Sequence, residues 1–142
     1  MTGLANQLKS SRDLELLVQQ ETPLCFVLLS IDSFTKINRQ YGHSIGNQVL
    51  KRWGNLLQSS FRNEVVGYWG NGEFVVGISG LNSTQGRDRI ANSLTALRKQ
   101  VFTAIDGSRF QVNCQVAIAA YPRDGLTVQY LYQMTASRFE II

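Results

Sequence analysis

The chain has 142 residues, of which 44% are hydrophobic and 17% are charged. This length and balance are typical of one soluble globular domain and exclude a disordered chain. The formal net charge of +4 favours anionic partners in general, but the basic residues form no dense cluster and no aromatic stripe accompanies them, so nucleic acid is not expected as a partner. Neither a membrane-spanning apolar run nor a signal-peptide pattern is present, so we expect a cytoplasmic domain without membrane insertion.

The first residues predict a helix followed by a buried strand. Helical spacing of Leu4, Leu8, Leu14 and Leu17 predicts an amphipathic helix that ends before Glu21-Thr22-Pro23. The unbroken apolar run 24–31 is typical of a strand covered on both faces, so it is expected in the middle of the sheet.

Two helices are predicted after this strand. Ser33 is expected to cap a short helix that reaches Tyr41, and Gly42 is expected to break it. A longer helix is predicted from Ser44, because an apolar stripe recurs on one of its faces. The stripe consists of Ile45, Val49, Trp53, Leu56 and Leu57.

The segment 65–78 predicts a β-hairpin, because two apolar runs flank Gly70, Asn71 and Gly72. Asn-Gly favours a type I′ turn, in which both central residues need a positive φ. Taken alone, these three residues are explained by turn chemistry. Glu73 is the sole carboxylate on this hairpin.

The remaining chain predicts a helix, a half-buried strand and a last helix. The apolar stripe Ile90, Leu94, Leu97, Val101 and Ile105 predicts one continuous helix. Residues 110–118 alternate between apolar and polar, which indicates a strand with one buried face. A turn at 122–125 precedes a weaker helix expected to run to the terminus. Cys25 and Cys114 lie in apolar strand patterns and are expected to be buried free thiols.

This order of elements predicts an α+β fold. Right-handed crossovers leave few arrangements other than a mostly antiparallel, four-stranded sheet with helices on its faces. The expected fold is ferredoxin-like, the plan shared with adenylyl cyclases.

Several motifs along the chain resemble those of the GGDEF family, the diguanylate cyclase domains that join two GTP into cyclic di-GMP. Gly70, Asn71, Gly72, Glu73 and Phe74 resemble a degenerate copy of its Gly-Gly-Asp/Glu-Glu-Phe signature. Residues 1–6, 30–38, 41–50 and 120–125 resemble its other motifs. We therefore expect residues 1–142 to form a single degenerate GGDEF domain, excised from a larger multidomain signalling protein.

The resemblance implies that the metal site has lost its carboxylates. The positions at which active members bind Mg²⁺ are Ser30, Ile31 (through its carbonyl) and Gly72, and serine and glycine supply no negative charge. Asp32 and Glu73 remain as a possible residual metal pair. The alternative for Asp32 is that it caps the following helix. No cofactor is expected. Mg²⁺ is expected only if some cyclase activity remains.

The resemblance also implies a nucleotide pocket. Its guanine contacts correspond to Asn38, which is retained, and to Asn47, which replaces an aspartate. A carboxylate accepts both adjacent N–H donors of guanine, whereas an amide accepts only with its oxygen. Gly42 and His43 belong to the adjoining turn, where His43 can also be purely structural. The product-inhibition motif of the family maps to residues 61–64, where its arginine is replaced by phenylalanine.

These expectations favour a catalytically inactive regulatory or interaction module in cyclic di-GMP signalling. It would act on a neighbouring sensor or EAL-type domain of the same polypeptide, with weak GTP binding as a possible input. Two alternatives stay open at this point. One is a diguanylate cyclase that uses Asp32 and Glu73, and the other is a cyclic di-GMP receptor.

Overall fold

A computed structural model describes residues 6–139. This part of the chain contains five helices and six strands. In chain order they are α1 (Gln7–Gln19), β1 (Leu24–Ile31), α2 (Phe34–Tyr41), α3 (His43–Ser60), β2 (Val65–Gly70), β3 (Glu73–Ser79), α4 (Ser83–Lys99), β4 (Val101–Thr103), β5 (Arg109–Gln111), β6 (Cys114–Tyr121) and α5 (Val128–Ala136).

The main sheet has four strands in the order β2-β3-β1-β6, and each neighbouring pair is antiparallel. β1 is therefore central, as the unbroken apolar run predicted, and the α+β fold with a four-stranded antiparallel sheet is confirmed. Leu24 at one end of β1 lies opposite Ser79 and Tyr121. Ser30 at the other end lies opposite Glu73.

Each face of the sheet has its own core, because alternate residues of a strand point to opposite faces. On one face β1 packs with α3 and α4 through Val27, Trp53 and Leu94, among others. On the other face it packs with α1 and α5 through Phe26, Leu14 and Leu131. Two-sided burial explains why β1 contains no polar residue before Ser30.

The first three predicted helices are confirmed, with corrections at their ends. α1 begins after Asn6, whose side chain accepts from the backbone N–H of Lys9 at 2.9 Å. Leu4 lies outside the described residues, and Leu8 is 60% exposed rather than buried. Ser33 does not cap α2 through its side chain, because its backbone is left-handed with φ 52°. The following helix α3 begins at His43, one residue before the predicted start.

The predicted helix over Ile90 to Ile105 is wrong in its last part. α4 ends at Lys99, and Val101 starts the short strand β4, which pairs with β5. Ile105, the last member of the predicted stripe, is 93% exposed in the connecting loop. β-branched side chains such as valine favour strands, and the helical spacing of Val101 and Ile105 is coincidental.

The single strand predicted over 110–118 is divided in the structure. Phe110 pairs with Phe102 in the small sheet, whereas Cys114 starts β6 in the main sheet. The last helix ends at Ala136 and does not run to the terminus. Among the residues from 6 to 139, no helix is long and apolar enough to cross a membrane.

Candidate functional site

The hairpin of β2 and β3, residues 65–79, is called the signature hairpin below. Gly70 pairs with Glu73, so Asn71 and Gly72 form a two-residue loop. Their φ angles are +52° and +78°, as a type I′ turn requires. The predicted turn is thereby confirmed.

The signature hairpin and the last residues of β1 meet at one end of the main sheet. Ser30 lies directly opposite Glu73 in the register. The backbone N–H of Ile31 donates to the carbonyl of Gly72 at 2.9 Å. The residues that the family resemblance assigns to metal binding are thus neighbours in space, although they are about 40 residues apart in sequence.

Gly72 has no room for a side chain. A Cβ atom there would lie 2.8 Å from Cβ and 2.9 Å from Cγ of Phe34, closer than carbon atoms pack, and the residue has a positive φ. Its N–H also donates to the hydroxyl oxygen of Tyr68 at 3.0 Å. Glycine is therefore required by the local packing, which the sequence did not reveal because Phe34 is distant along the chain.

The carboxylate of Glu73 already has a partner. The Tyr132 hydroxyl on α5 donates to Oε1 of Glu73 at 2.7 Å. Burial of the phenol, together with this hydrogen bond and the negative charge of Glu73, raises the pKa of Tyr132 to about 12. Tyr132 was not predicted as a site residue, and no sequence motif marks it.

Trp69 extends this contact to the first helix. Its ring packs on Tyr132 with centroids 5.1 Å apart. Its indole N–H donates to Oγ of Ser10 at 2.8 Å, and Ser10 is fully buried. The contacts from Ser10 through Trp69 and Tyr132 to Glu73 therefore join α1, α5 and the signature hairpin.

Asp32 takes no part in the contacts that join Glu73, Tyr132 and Trp69. It is exposed directly after β1, and its backbone N–H donates to the carbonyl of Asn113 at 2.9 Å. Its negative charge helps to raise the pKa of Cys114, which is raised to about 12 mainly by burial. No described contact joins Asp32 to Glu73. Within residues 6–139, no three His, Cys, Asp or Glu side chains form a group that could hold a metal ion.

The predicted guanine contacts lie on α2 and α3. The carboxamide of Asn38 packs directly on the backbone of Gly46, where a Cβ atom would collide with it. The carbonyl of Asn38 also accepts from the N–H of Gly42, whose φ of +91° forms the bend between the helices. Asn47 follows Gly46 and is exposed, as is His43 at the start of α3. The structure thus brings Asn38 next to the turn and leaves Asn47 facing solvent.

In the segment that resembles the product-inhibition motif, residues 61–64, two side chains pack against Arg89 of α4. Phe61 is buried, and the guanidinium of Arg89 lies 4.9 Å from the centre of its ring. Glu64 accepts from the N–H of Ser79 at 2.9 Å and pairs with Arg89 at 3.6 Å. Arg62 is exposed. Arg89, contributed by α4, was missed because it lies beyond the motif in sequence.

Both cysteines are buried free thiols, as predicted. Burial raises the pKa of Cys25 to about 11. Neither thiol is therefore an activated nucleophile near neutral pH, since the thiolate is the reactive form.

The sheet order, the signature hairpin at its end and the crossing of α2 with α3 define a cyclase-like α+β fold. The family model described as "Diguanylate cyclase, GGDEF domain" matches residues 1–139. The chain belongs to the GGDEF family.

Individual relatives agree with this assignment. Diguanylate cyclase DgcS of Shewanella oneidensis is 28% identical over 140 residues, which cover 94% of this chain and 45% of DgcS. Among solved structures, the YfiN (TpbB) variant from Pseudomonas aeruginosa that comprises only the GGDEF domain superposes with a TM-score of 0.81 at 25% identity, covering 95% of this chain and 81% of that one.

A third similar protein was solved as a complex. Diguanylate cyclase SiaD from Pseudomonas aeruginosa, in complex with its activator SiaC, superposes with a TM-score of 0.86 at 19% identity, covering 96% of this chain and 54% of that one. This level of identity shows the shared fold. The chain spans less than half the length of the curated relative DgcS.

Proposed function

We propose that this GGDEF domain makes no cyclic di-GMP and acts as a regulatory module that binds GTP weakly. The observation that carries the proposal is the pairing of Ser30 with Glu73 at the end of the inner strands β1 and β3. The family resemblance places a metal-binding carboxylate at Ser30 and another at Gly72, and both are absent from the sequence.

The chemistry of cyclisation supports an inactive site. Joining two nucleoside triphosphates requires an activated 3′-hydroxyl and neutralised phosphates, which Mg²⁺ held by carboxylates supplies. Removing one preorganised electrostatic group typically costs about 10²–10³ in rate. Two carboxylates are missing here, and Glu73 is hydrogen-bonded to Tyr132.

A weak GTP site is supported by what the fold retains. Asn38 lies beside the bend at Gly42 and His43, and Asn47 is exposed on the next turn of α3. An asparagine at position 47 can accept from one N–H of guanine, whereas an aspartate can accept from two. Binding should therefore be weak and poorly selective for guanine.

The partner is a neighbouring sensor or EAL-type domain of the same polypeptide. Two observations support this. The chain covers only 45% of DgcS, which supports a neighbouring domain, and SiaD, which shares the fold, was solved with a separate activator protein, which supports control through a protein contact. A ligand can shift the contact between two domains only through its different affinity for the two states.

The test begins with turnover and binding by the purified protein. We expect no cyclic di-GMP above background from GTP with Mg²⁺ or Mn²⁺, measured by mass spectrometry. We expect calorimetry to give a GTP dissociation constant in the micromolar range or weaker. Product that disappears in Glu73→Ala would instead favour a cyclase with a rearranged metal site. Tight binding of cyclic di-GMP would favour a receptor.

A pair of variants on α3 tests the location of the GTP site. Asn47 and Asn55 are both exposed on this helix, so their replacement by aspartate adds the same charge without disturbing the core. Asn47→Asp should strengthen GTP binding about tenfold, because one charge-assisted hydrogen bond is worth about 1.5–3 kcal/mol. Asn55→Asp should not. Equal affinities in the two variants would show that GTP does not contact position 47.

A further inference from the structure

A second candidate site lies toward the end of the sheet away from the signature hairpin. It is a cavity of about 230 Å³, called the arginine cavity below. Its lining residues in the described chain are Ser83, Arg87, Ile118, Arg123 and Arg138. Ser83 follows β3 and Arg123 follows β6, at the strand ends that pair with Leu24.

One carboxylate fixes two of these arginines. Oδ2 of Asp124 lies 2.9 Å from Nη2 of Arg123 and 3.1 Å from Nη2 of Arg138. The same oxygen accepts from the backbone N–H of Ala120 at 2.8 Å, and the Asp124 side chain is only 12% exposed. Arg138 also donates to the carbonyl of Ile118 at 2.9 Å. The two guanidiniums are thus held in place before any ligand arrives.

Both fixed arginines keep donors for a ligand. A guanidinium has five N–H groups. The bonds of Arg123 use its Nε and Nη2, and those of Arg138 use its Nη2. No residue between 6 and 139 accepts from Nη1 of either side chain in the hydrogen bonds that the structure shows.

The rest of the cavity is also suited to an anion. Ser83 is the first residue of the 17-residue helix α4. The Asn82 side chain accepts from the N–H of Gln85 at 2.8 Å, so the N–H groups of Ser83 and Thr84 remain without intrahelical partners, and the helix dipole favours negative charge there. Arg87 adds a third guanidinium to the lining. The guanidiniums of Arg123 and Arg138 carry two positive charges against the single negative charge of Asp124.

We propose that the arginine cavity binds a phosphate group carried by a small molecule. The planar fork of arginine matches the oxygens of phosphate in pairs, and a helix N-terminus is a recurrent phosphate site. The volume lies below the range of about 300–1,000 Å³ of pockets for drug-sized ligands. Phosphate or pyrophosphate fits this size better than a whole nucleotide.

The site can be tested with inorganic phosphate and pyrophosphate on the chain itself. Saturable shifts of backbone amide signals near Ser83 and Arg123, followed by NMR at low ionic strength, are expected. Arg123→Gln should weaken binding at least about tenfold, because it removes a charge-assisted contact. The Arg123 side chain is 63% exposed and, within residues 6–139, bonds to Asp124 alone, so this variant should fold.

Two further variants separate the site from general attraction of anions. Arg62→Gln removes an exposed arginine elsewhere and should leave phosphate binding unchanged. Arg138→Lys keeps the charge but removes the fork, and should weaken pyrophosphate binding several-fold. Shifts that do not saturate, or an equal loss in Arg62→Gln and Arg123→Gln, would overturn the proposal. The result does not depend on GTP binding, which is tested separately at position 47.

Discussion

The carboxylates at the two ends of the main sheet have partners of different charge. At the end formed by Ser30 and the signature hairpin, Glu73 accepts one hydrogen bond from a neutral phenol, Tyr132. At the other end, Asp124 pairs with two guanidiniums, those of Arg123 and Arg138. Among residues 6–139, no cation pairs with Glu73 at the first end, whereas two cations pair with Asp124 at the second.

This difference determines how the stability of each end depends on pH. At the first end, a neutral phenol from α5 donates a hydrogen bond to the carboxylate of Glu73. At the opposite end, Asp124 forms ion pairs with Arg123 and Arg138. The same comparison predicts that the two ends lose stability at opposite extremes of pH.

The largest expected effect is at the tip of the signature hairpin. Gly72→Asp should lower the free energy of unfolding by about 3 kcal/mol, because it combines an unfavourable φ with a collision against Phe34. Gly70→Asp is the matched control, since its φ is +88° but a Cβ there meets nothing within 4 Å. It should cost only about 1 kcal/mol. Urea denaturation measures both.

Equal losses in these two variants would show that Phe34 moves aside without cost. An attempt to rebuild a metal site should in any case introduce its carboxylate at Ser30, because an aspartate at Gly72 is opposed by the packing.

The second-largest expected effect on stability concerns Asp124, at the other end of the sheet. Burial raises the pKa of Asp124, but hydrogen bonds from Arg123 and Ala120 and the nearby positive charges outweigh this and hold it below its ordinary value. Its contribution to stability is therefore present above the unfolded pKa of about 3.9 and is lost as the pH falls through the folded pKa.

Asp124→Asn should accordingly cost about 1–2 kcal/mol at pH 7, since its arginine partners are partly exposed and screened by solvent. The variant should also lose less stability than the parent when the pH is lowered from about 5 to about 2, the range in which carboxylates titrate. Chemical denaturation at a series of pH values measures this. An unchanged acid profile would show that Asp124 does not anchor this end.

The smallest effect concerns Tyr132. Its folded pKa of about 12 lies above the unfolded value of about 10, so its contribution to stability is complete below about pH 10 and is lost as the pH rises through the folded pKa. Tyr132→Phe should cost about 1 kcal/mol at pH 7 and reduce the alkaline loss of stability. Part of that loss should remain, because burial also raises the pKa of Tyr68.

Tyr130→Phe is the control on the same helix, since Tyr130 is 51% exposed. It should change neither the stability at pH 7 nor the alkaline profile. The same profile in Tyr132→Phe and the parent would mean that the hydrogen bond to Glu73 contributes nothing measurable.

Local patterns predicted much of the fold, and contacts between distant residues account for what they missed. The central strand and the Asn71-Gly72 turn follow from hydrophobic runs and φ preferences, which are local properties. The end of α4 does not, because Val101 fits a helical stripe and its strand partner Gln111 comes ten residues later. Periodicity alone cannot distinguish these two structures.

The candidate site shows the same limit. The family motifs assigned Ser30, Ile31 and Gly72 to one site, and the structure places these residues at the same end of the sheet. The hydroxyl of Tyr132 is 59 residues from Glu73 in sequence, and no local pattern pairs them. Phe34 and Gly72 are brought together in the same way, by packing rather than by spacing.

The two tryptophans provide separate optical reporters of the two faces of the sheet. Trp53 is fully buried in the core formed with α3 and α4, and its indole N–H has no hydrogen-bond partner in the described chain. Trp69 lies on the other face, partly exposed, against Tyr132 and Ser10. Its fluorescence therefore reports whether α1 and α5 remain docked on the signature hairpin, while Trp53 reports the integrity of the opposite core.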